Sequence, residues 1–183
     1  LWAGKRVVIG AGPTVEAIDP IRYMSNHSTG NMGFALAHAC VAAGADVILI
    51  AGGKIALPTP LNVIRIDVLS AKEMLIAAQQ CVTGTHSALQ YLVEDEHSHD
   101  HNHEHEHGHG HHHDDYSEEH DNNVNDDSVK VADIFIATAA VADYRTEEAA
   151  PQKIKKTQAA MTLSLVKNPD ILAKISLAQP ELF

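Results

Sequence analysis

Asp19–Gly33 reads Asp-Pro-Ile-Arg-Tyr-Met-Ser-Asn-His-Ser-Thr-Gly-Asn-Met-Gly, and it closely follows a short apolar run, Arg6–Gly10. That run is bounded by glycines, which predicts a buried parallel strand. The chain leaves the strand through Gly10-Ala11-Gly12-Pro13-Thr14 and enters a long loop carrying Arg22, Ser25, Asn26, His27 and Ser28. Gly30 and Gly33 mark the passage into an amphipathic helix. Amide and hydroxyl donors at a strand's carboxyl end, beside a helix N-terminus, are what an anion-binding crevice in an α/β sheet requires.

The helix after Gly30 puts Met32, Leu36, Ala39, Cys40 and Ala43 at one-face spacing, and Gly44 stops it. Asp46–Ala51 and Val63–Val68 read as a second and third buried strand, and Asp133–Ala137 as a fourth. Ser70-Ala71-Lys72-Glu73 is a capping box, and its helix continues through Met74, Leu75, Ala78, Cys81 and Val82. Met161–Val166 alternates as a fifth strand would. Asn168-Pro169 then opens a last helix, with Asn as N-cap and Pro at the first helical position. Strands alternating with helices predict an α/β fold, a Rossmann-like parallel sheet with flanking helices. The chain stops at Phe183 where another strand is expected, so the sheet reads as incomplete at the C-terminus.

At 183 residues the chain suits one domain, 1–183, with a sizeable core. Its formal charge of −11 comes from one place. Setting aside the thirteen Asp and Glu between Glu94 and Asp127 leaves eleven acids against thirteen bases. A mildly basic core suits anionic small molecules and is far too weak for nucleic-acid binding. Cys40 and Cys81 fall on apolar stripes, so buried free thiols in a reducing cytoplasm are expected. No signal peptide is legible. The apolar stretch Phe34–Ala51 is broken by His38, Gly44 and Asp46 and does not read as a membrane span.

Residues 94–128 are of another kind. Ten His lie between His97 and His113, mixed with Asp, Glu and Gly. Such a His-rich acidic insert cannot bury enough surface to offset its ordering entropy, so disorder is expected. His99, His101, His103, His105 and His107 alternate, which puts imidazoles on one side of an extended chain and suits zinc or nickel. A metal-binding protein whose working element is this insert is therefore the competing reading. A nicotinamide enzyme is disfavoured: Gly10-Ala11-Gly12 begins a dinucleotide fingerprint, but Val15 replaces its third glycine and no acid ends the second strand.

Five motifs occur in register: GPTVEAIDPIRYMSNHSTGNMGFALA (residues 12–37), LPTP (57–60), AAVADYR (139–145), KIKK (153–156) and LVKNPDIL (165–172). Together they closely resemble the phosphopantothenate–cysteine ligase domain of bacterial coenzyme A biosynthesis proteins. The likeness covers nearly all of the chain except the insert. Ala3-Gly4-Lys5-Arg6-Val7 resembles the start of that domain, after the FMN-dependent decarboxylase domain to which it is usually fused.

The resemblance implies a reaction in two steps. CTP activates the carboxylate of phosphopantothenate as an acyl-cytidylate, releasing pyrophosphate, and the amine of cysteine then displaces CMP. Implied CTP-binding positions are Ala137, Thr138, Ala139, Asp143, Lys153 and the turn Pro169, Asp170, Ile171 and Leu172. Arg22 and Asn26 are implied to matter for turnover, and a cytoplasmic homodimer is the implied setting. FMN is implied only where the decarboxylase precedes.

The residue types suit these roles. Small side chains at 137–140 let backbone approach a base or phosphate. Lys153 can neutralise charge at the α-phosphate, and Asn26 can donate to the acyl oxygen. Asp143 can help to hold the magnesium of a nucleoside triphosphate. Without the resemblance, Asn26 and His27 read as turn formers, Lys153 with Lys155 and Lys156 as a solvated face, and His38 as a satisfied histidine. Gly10 stands where the resemblance more often places a hydroxyl. A Phe and two lysines implied to contact CTP fall beyond Phe183, so this segment by itself is not expected to be an active ligase.

Overall fold

β1 (Arg6–Ala11) is buried along its whole length, as a strand covered on both faces must be. The computed structural model, which describes residues 2–89, 130–156 and 159–183, shows how that cover is built. The chain continues through β2 (Val15–Ala17), β3 (Tyr23–Ser25), α1 (Asn31–Ala42), β4 (Asp46–Gly52) and β5 (Val63–Val68). Then come α2 (Ala71–Val82), β6 (Ile134–Ala137), β7 (Tyr144–Thr146), β8 (Leu165–Lys167) and α3 (Ile171–Ala178). The main sheet is parallel, in the order β5-β4-β1-β6, the Rossmann-like arrangement that the alternation predicts.

Side chains alternate across this sheet. Val7, Ile9, Val47 and Leu49 pack with Phe34, Ala37 and Cys40 of α1. Val8, Ile48 and Ile50 pack on the opposite face with Met74, Ala78 and Cys81 of α2 and with Ile171 and Ile175 of α3. The buried face of α1 therefore differs from the expected stripe. It runs through Gly33, Phe34, Ala37 and Cys40, whereas Met32 is 68% exposed. Gly33 decides the phase: a Cβ there would stand 2.3 Å from the Ala11 Cβ, so the helix backbone lies directly on β1. A glycine carries no weight in a hydrophobic pattern, and the pattern slipped accordingly.

α2 begins as its sequence directs. Ser70 accepts from the Glu73 N–H, and the Glu73 carboxylate accepts from the N–H groups of Leu69 and Ser70. Buried Glu16 adds a further cap by accepting from the Ala71 N–H at 2.9 Å. The C-terminal part departs from expectation. β8 pairs antiparallel with β7 in a ribbon of its own and does not join the main sheet. Thr162 and Ser164 interrupt the Met161–Val166 run, and alternation of that kind suits a strand with one wet face, not one buried on both. α3 starts later than Asn168-Pro169 implies, because Asp170 is its N-cap and accepts from the Ala173 N–H at 2.9 Å. Asn168 instead donates to the Ala142 carbonyl at 2.8 Å.

The sheet is open beyond β6. The Phe183 N–H donates to the Asp133 carbonyl at 3.2 Å, and the Phe135 N–H donates to the Phe183 carbonyl at 2.9 Å. That is the hydrogen-bond pattern of parallel pairing, and it places Phe183 on this edge.

The insert 94–128, with His99, His101, His103, His105 and His107, lies outside the described residues. Its flanks are well placed, however. The Ala132 N–H donates to the Val82 carbonyl at 3.0 Å, and Leu89 and Ala132 share one core. Val82 and Ala132 thus meet at one αβ junction, at the amino ends of the strands.

Both cysteines are free and buried. Burial pushes the Cys81 thiol from 9.0 up to about 12, with Arg6 nearby pulling weakly the other way. An unfolded thiol ionises near 9.0 while the folded one stays protonated to about 12. Its contribution to stability is therefore intact below the unfolded value and is lost as pH rises toward the folded one. At pH about 8, peptide mass spectrometry after exposure to a thiol reagent should find Cys81 unlabelled until denaturant unfolds the domain. Prompt labelling of the native chain would contradict this packing.

Candidate active site

β1 and β6 end side by side, and their continuations remain paired past the sheet. The Thr138 N–H donates to the Gly10 carbonyl at 3.0 Å, and the Ala140 N–H to the Gly12 carbonyl at 2.8 Å. The buried Thr14 hydroxyl accepts from the Ala142 N–H at 2.9 Å. The strand order turns at β1, with β4 on one side and β6 on the other, and ligands of open α/β sheets bind outside the carboxyl ends at such a point.

A cleft of about 540 Å³ opens there. Seven of the nine expected nucleotide positions line it: Ala137, Ala139, Asp143, Pro169, Asp170, Ile171 and Leu172. Gly10 lines it as well, and a Cβ on Gly10 would meet nothing nearer than the Ala139 Cβ at 3.8 Å. Position 10 thus has room for a hydroxyl side chain. Lys167, just past the expected fifth strand and within LVKNPDIL, also lines the cleft and brings a cation for which no role was expected.

Thr138 and Lys153 do not line this cleft. Consecutive residues of an extended segment face opposite ways. The Thr138 hydroxyl accordingly donates to the Gly10 carbonyl at 2.7 Å, and the residue borders a second crevice with His27, Ser28 and Gly30 at the start of α1. Gly30, at φ 76°, is the N-cap of that helix and supplies no capping side chain.

The long loop is more ordered than its composition suggests, since β2 and β3 form a hairpin within it. Three-residue strands are too short to leave a period. Ser25 donates to the Thr14 carbonyl at 2.7 Å, and Asn26 Nδ2 donates to the Val141 carbonyl at 3.0 Å. Asn26 therefore stitches the loop to the segment that walls the cleft. His38 is exposed on α1.

Arg22 and Lys153 meet through an unexpected intermediary. Arg22 Nε donates to Asp19 Oδ2 at 3.0 Å, and its Nη2 donates to the Ile154 carbonyl at 3.0 Å. The Ile154 N–H donates to the same Asp19 oxygen at 3.1 Å. The Arg22 guanidinium above all, helped by backbone N–H groups, holds the Asp19 carboxyl well below the usual carboxylate range. Lys153, exposed, immediately precedes Ile154. Asp19-Pro20 carried only a turn signal in the sequence.

Among the described residues no group of three or more His, Cys, Asp or Glu could by itself hold a metal ion. Asp143 and Asp170 on the cleft wall are the carboxylates in reach of a ligand there.

The family described as the DNA/pantothenate metabolism flavoprotein C-terminal domain matches residues 2–91 and 112–182. The chain belongs to that family. A coenzyme A biosynthesis bifunctional protein, CoaBC, of Vibrio cholerae is 42% identical over 178 residues, 96% of this chain and 33% of that protein. CoaBC of Escherichia coli K12 is 38% identical over 93% of this chain and 31% of its own length. The chain thus spans about a third of the curated relatives it matches.

Among solved structures, the C-terminal domain of CoaBC superposes with a TM-score of 0.62 at 31% identity, over 100% of this chain and 63% of that one. A Cab2 variant solved in complex with phosphopantothenate-cysteine shares the fold, with a TM-score of 0.54 at 14% identity, over 94% of this chain and 59% of its own. Membership of this flavoprotein C-terminal family accounts for the parallel sheet, and the curated relatives are named for coenzyme A biosynthesis.

Proposed function

We propose that the chain carries the nucleotide-binding part of a phosphopantothenate–cysteine ligase that uses CTP and passes through an acyl-cytidylate. The observation that carries this reading is the convergence of 137, 139, 143 and 169–172 on one cleft at the turn of the strand order. Ala137 and Ala139 keep that wall thin enough for close approach of a base or phosphate. Lys153, exposed and anchored through Ile154, supplies positive charge as pyrophosphate departs. Asn26 Nδ2, which donates to the Val141 carbonyl at 3.0 Å and to the Ala140 carbonyl at 3.4 Å, is the donor for the acyl oxygen when cysteine attacks, giving up the longer of these bonds.

Magnesium fits this chemistry as a companion of the triphosphate. It keeps most of its waters and needs only one or two protein carboxylates, and Asp143 with Asp170 supplies that number. When bound, it would offset phosphate charge.

Exposed apolar residues on the small ribbons, Tyr23, Tyr144 and Leu165, support a homodimer. The greater length of the bifunctional relatives supports a place beside a decarboxylase domain, to which FMN would belong. The setting is cytoplasmic coenzyme A synthesis, and no helix among the described residues is long and apolar enough to cross a membrane.

The protein expressed from its complete reading frame should release pyrophosphate from CTP and phosphopantothenate before cysteine is added. Equal use of ATP would overturn the nucleotide assignment, and release only with cysteine present would overturn the acyl-cytidylate.

The competing metal-binding reading is separated by a deletion. Because Val82 and Ala132, which flank the insert's surroundings in the chain, meet directly, and closure entropy grows only logarithmically with loop length, a short linker should close the same junction. Replacing Glu94–Asp127 with a short Gly/Ser linker should leave CTP turnover near the parent's rate. Calorimetric titration should then show most zinc or nickel binding gone. Loss of turnover in a folded deletion protein would place the insert in the mechanism.

A further inference from the structure

Asp19 belongs to none of the roles above, yet its carboxylate is the most heavily used side chain in the loop. Oδ1 accepts from the N–H groups of Ile21 at 2.9 Å and Arg22 at 2.8 Å. Oδ2 accepts from Arg22 Nε, Arg22 Nη2 and the Ile154 N–H. The side chain is fully buried, whereas that of Arg22 is 41% exposed. Two further contacts align the same two stretches: the Ala150 N–H donates to the Ile18 carbonyl at 2.9 Å and the Thr146 hydroxyl to the Ala17 carbonyl at 2.7 Å. Within the loop itself, the Ile18 N–H donates to the Arg22 carbonyl at 2.8 Å.

Ile154 is held at both of its backbone groups, its N–H by a carboxylate and its carbonyl by a guanidinium. An ion pair here takes the place of a neighbouring strand. Charge-assisted hydrogen bonds are about twice as strong as neutral ones, so the clamp suits a segment with no sheet partner of its own.

We infer that Asp19 and Arg22 together are positioning residues that clamp Ile154 and thereby set where Lys153 presents its ammonium. This rests on the charge-neutralising role proposed for Lys153. It gives Arg22 a task distinct from touching substrate, and it assigns Asp19 a task in turnover. A clamp of this kind acts on the transition state, because a displacement of about 1 Å in a charged group can cost about 10²-fold in rate.

The test measures CTP-dependent pyrophosphate release in the protein from its complete reading frame, with Asp19→Asn, Arg22→Gln and Lys153→Gln singly and in pairs. Each single change should lower kcat by about 10²-fold while the KM for CTP moves little. Asp19→Asn should cost nothing further once Lys153→Gln is present, since a group acting through Lys153 has nothing left to position. Trypsin should cut after Lys153 sooner in Asp19→Asn than in the parent.

Losses that multiply in the double variant would overturn the clamp and leave the role of Lys153 standing. So would an unchanged trypsin rate at Lys153, or full kcat in Asp19→Asn. Full kcat in Lys153→Gln would overturn the clamp and the reading of Lys153 together. Should Asp19→Asn fail to fold, Arg22→Gln paired with Lys153→Gln reads the same coupling, because the half-exposed Arg22 side chain carries little of the core.

Discussion

Lys153→Gln should lower CTP-dependent pyrophosphate release by about 10²-fold or more, the scale on which one preorganised electrostatic contact acts. The lysine is exposed and bears no core packing, so its replacement leaves the sheet and both core faces intact. Gln keeps the length and a donor but loses the charge. The loss should therefore fall on kcat for the activation step, where negative charge accumulates between the α-phosphate and the departing pyrophosphate. Rapid-quench measurement of the first turnover reads this directly. A parent-like rate of pyrophosphate release would remove Lys153 from the activation step.

Asn26→Asp should have an effect of similar size at the other step. Asn26 Nδ2 donates to the Val141 carbonyl at 3.0 Å and to the Ala140 carbonyl at 3.4 Å. A carboxylate in its place would repel those carbonyls and the oxygen on which charge builds when cysteine attacks. Acyl-cytidylate should then accumulate while amide formation drops by about 10²–10³-fold. Quenched-reaction mass spectrometry shows whether it does. Asn26→Ala separates the two contributions: it loses the tether, a hydrogen bond worth about 1 kcal/mol net, without adding charge. Equal losses in Asp and Ala variants would reduce Asn26 to a tether. Normal product formation without any build-up of intermediate would give it another role altogether.

The scaffold was largely legible in the sequence because it rests on predominantly apolar runs. β5 coincides with the expected VIRIDV, β4 extends the expected DVILIA by Gly52, and the Ser70–Glu73 box opens α2. Short elements escaped. β2, β3, β7 and β8 span three residues each, fewer than a periodic pattern needs to declare itself. The phase of α1 depended on a glycine packed on Ala11, and composition does not show a close approach. The site was legible as a set of motifs, but its division was not. Thr138 stands between two cleft residues in the chain and faces away from them in space. Asp19 gave only a turn signal, because its value depends on Ile154, more than a hundred residues later.

The junction at Val82 and Ala132 bears on how this gene can change. It lies at the amino ends of the strands, while the cleft lies at their carboxyl ends. Six residues of β1 separate the two poles, about 20 Å at roughly 3.3 Å per residue, or more than two screening lengths of about 8 Å in physiological salt. The described residues on either side of 90–129 therefore join the fold at the pole away from the cleft. Chain inserted between these residues adds a closure entropy that grows only logarithmically with its length, so the Val82–Ala132 contact sets how that length is tolerated.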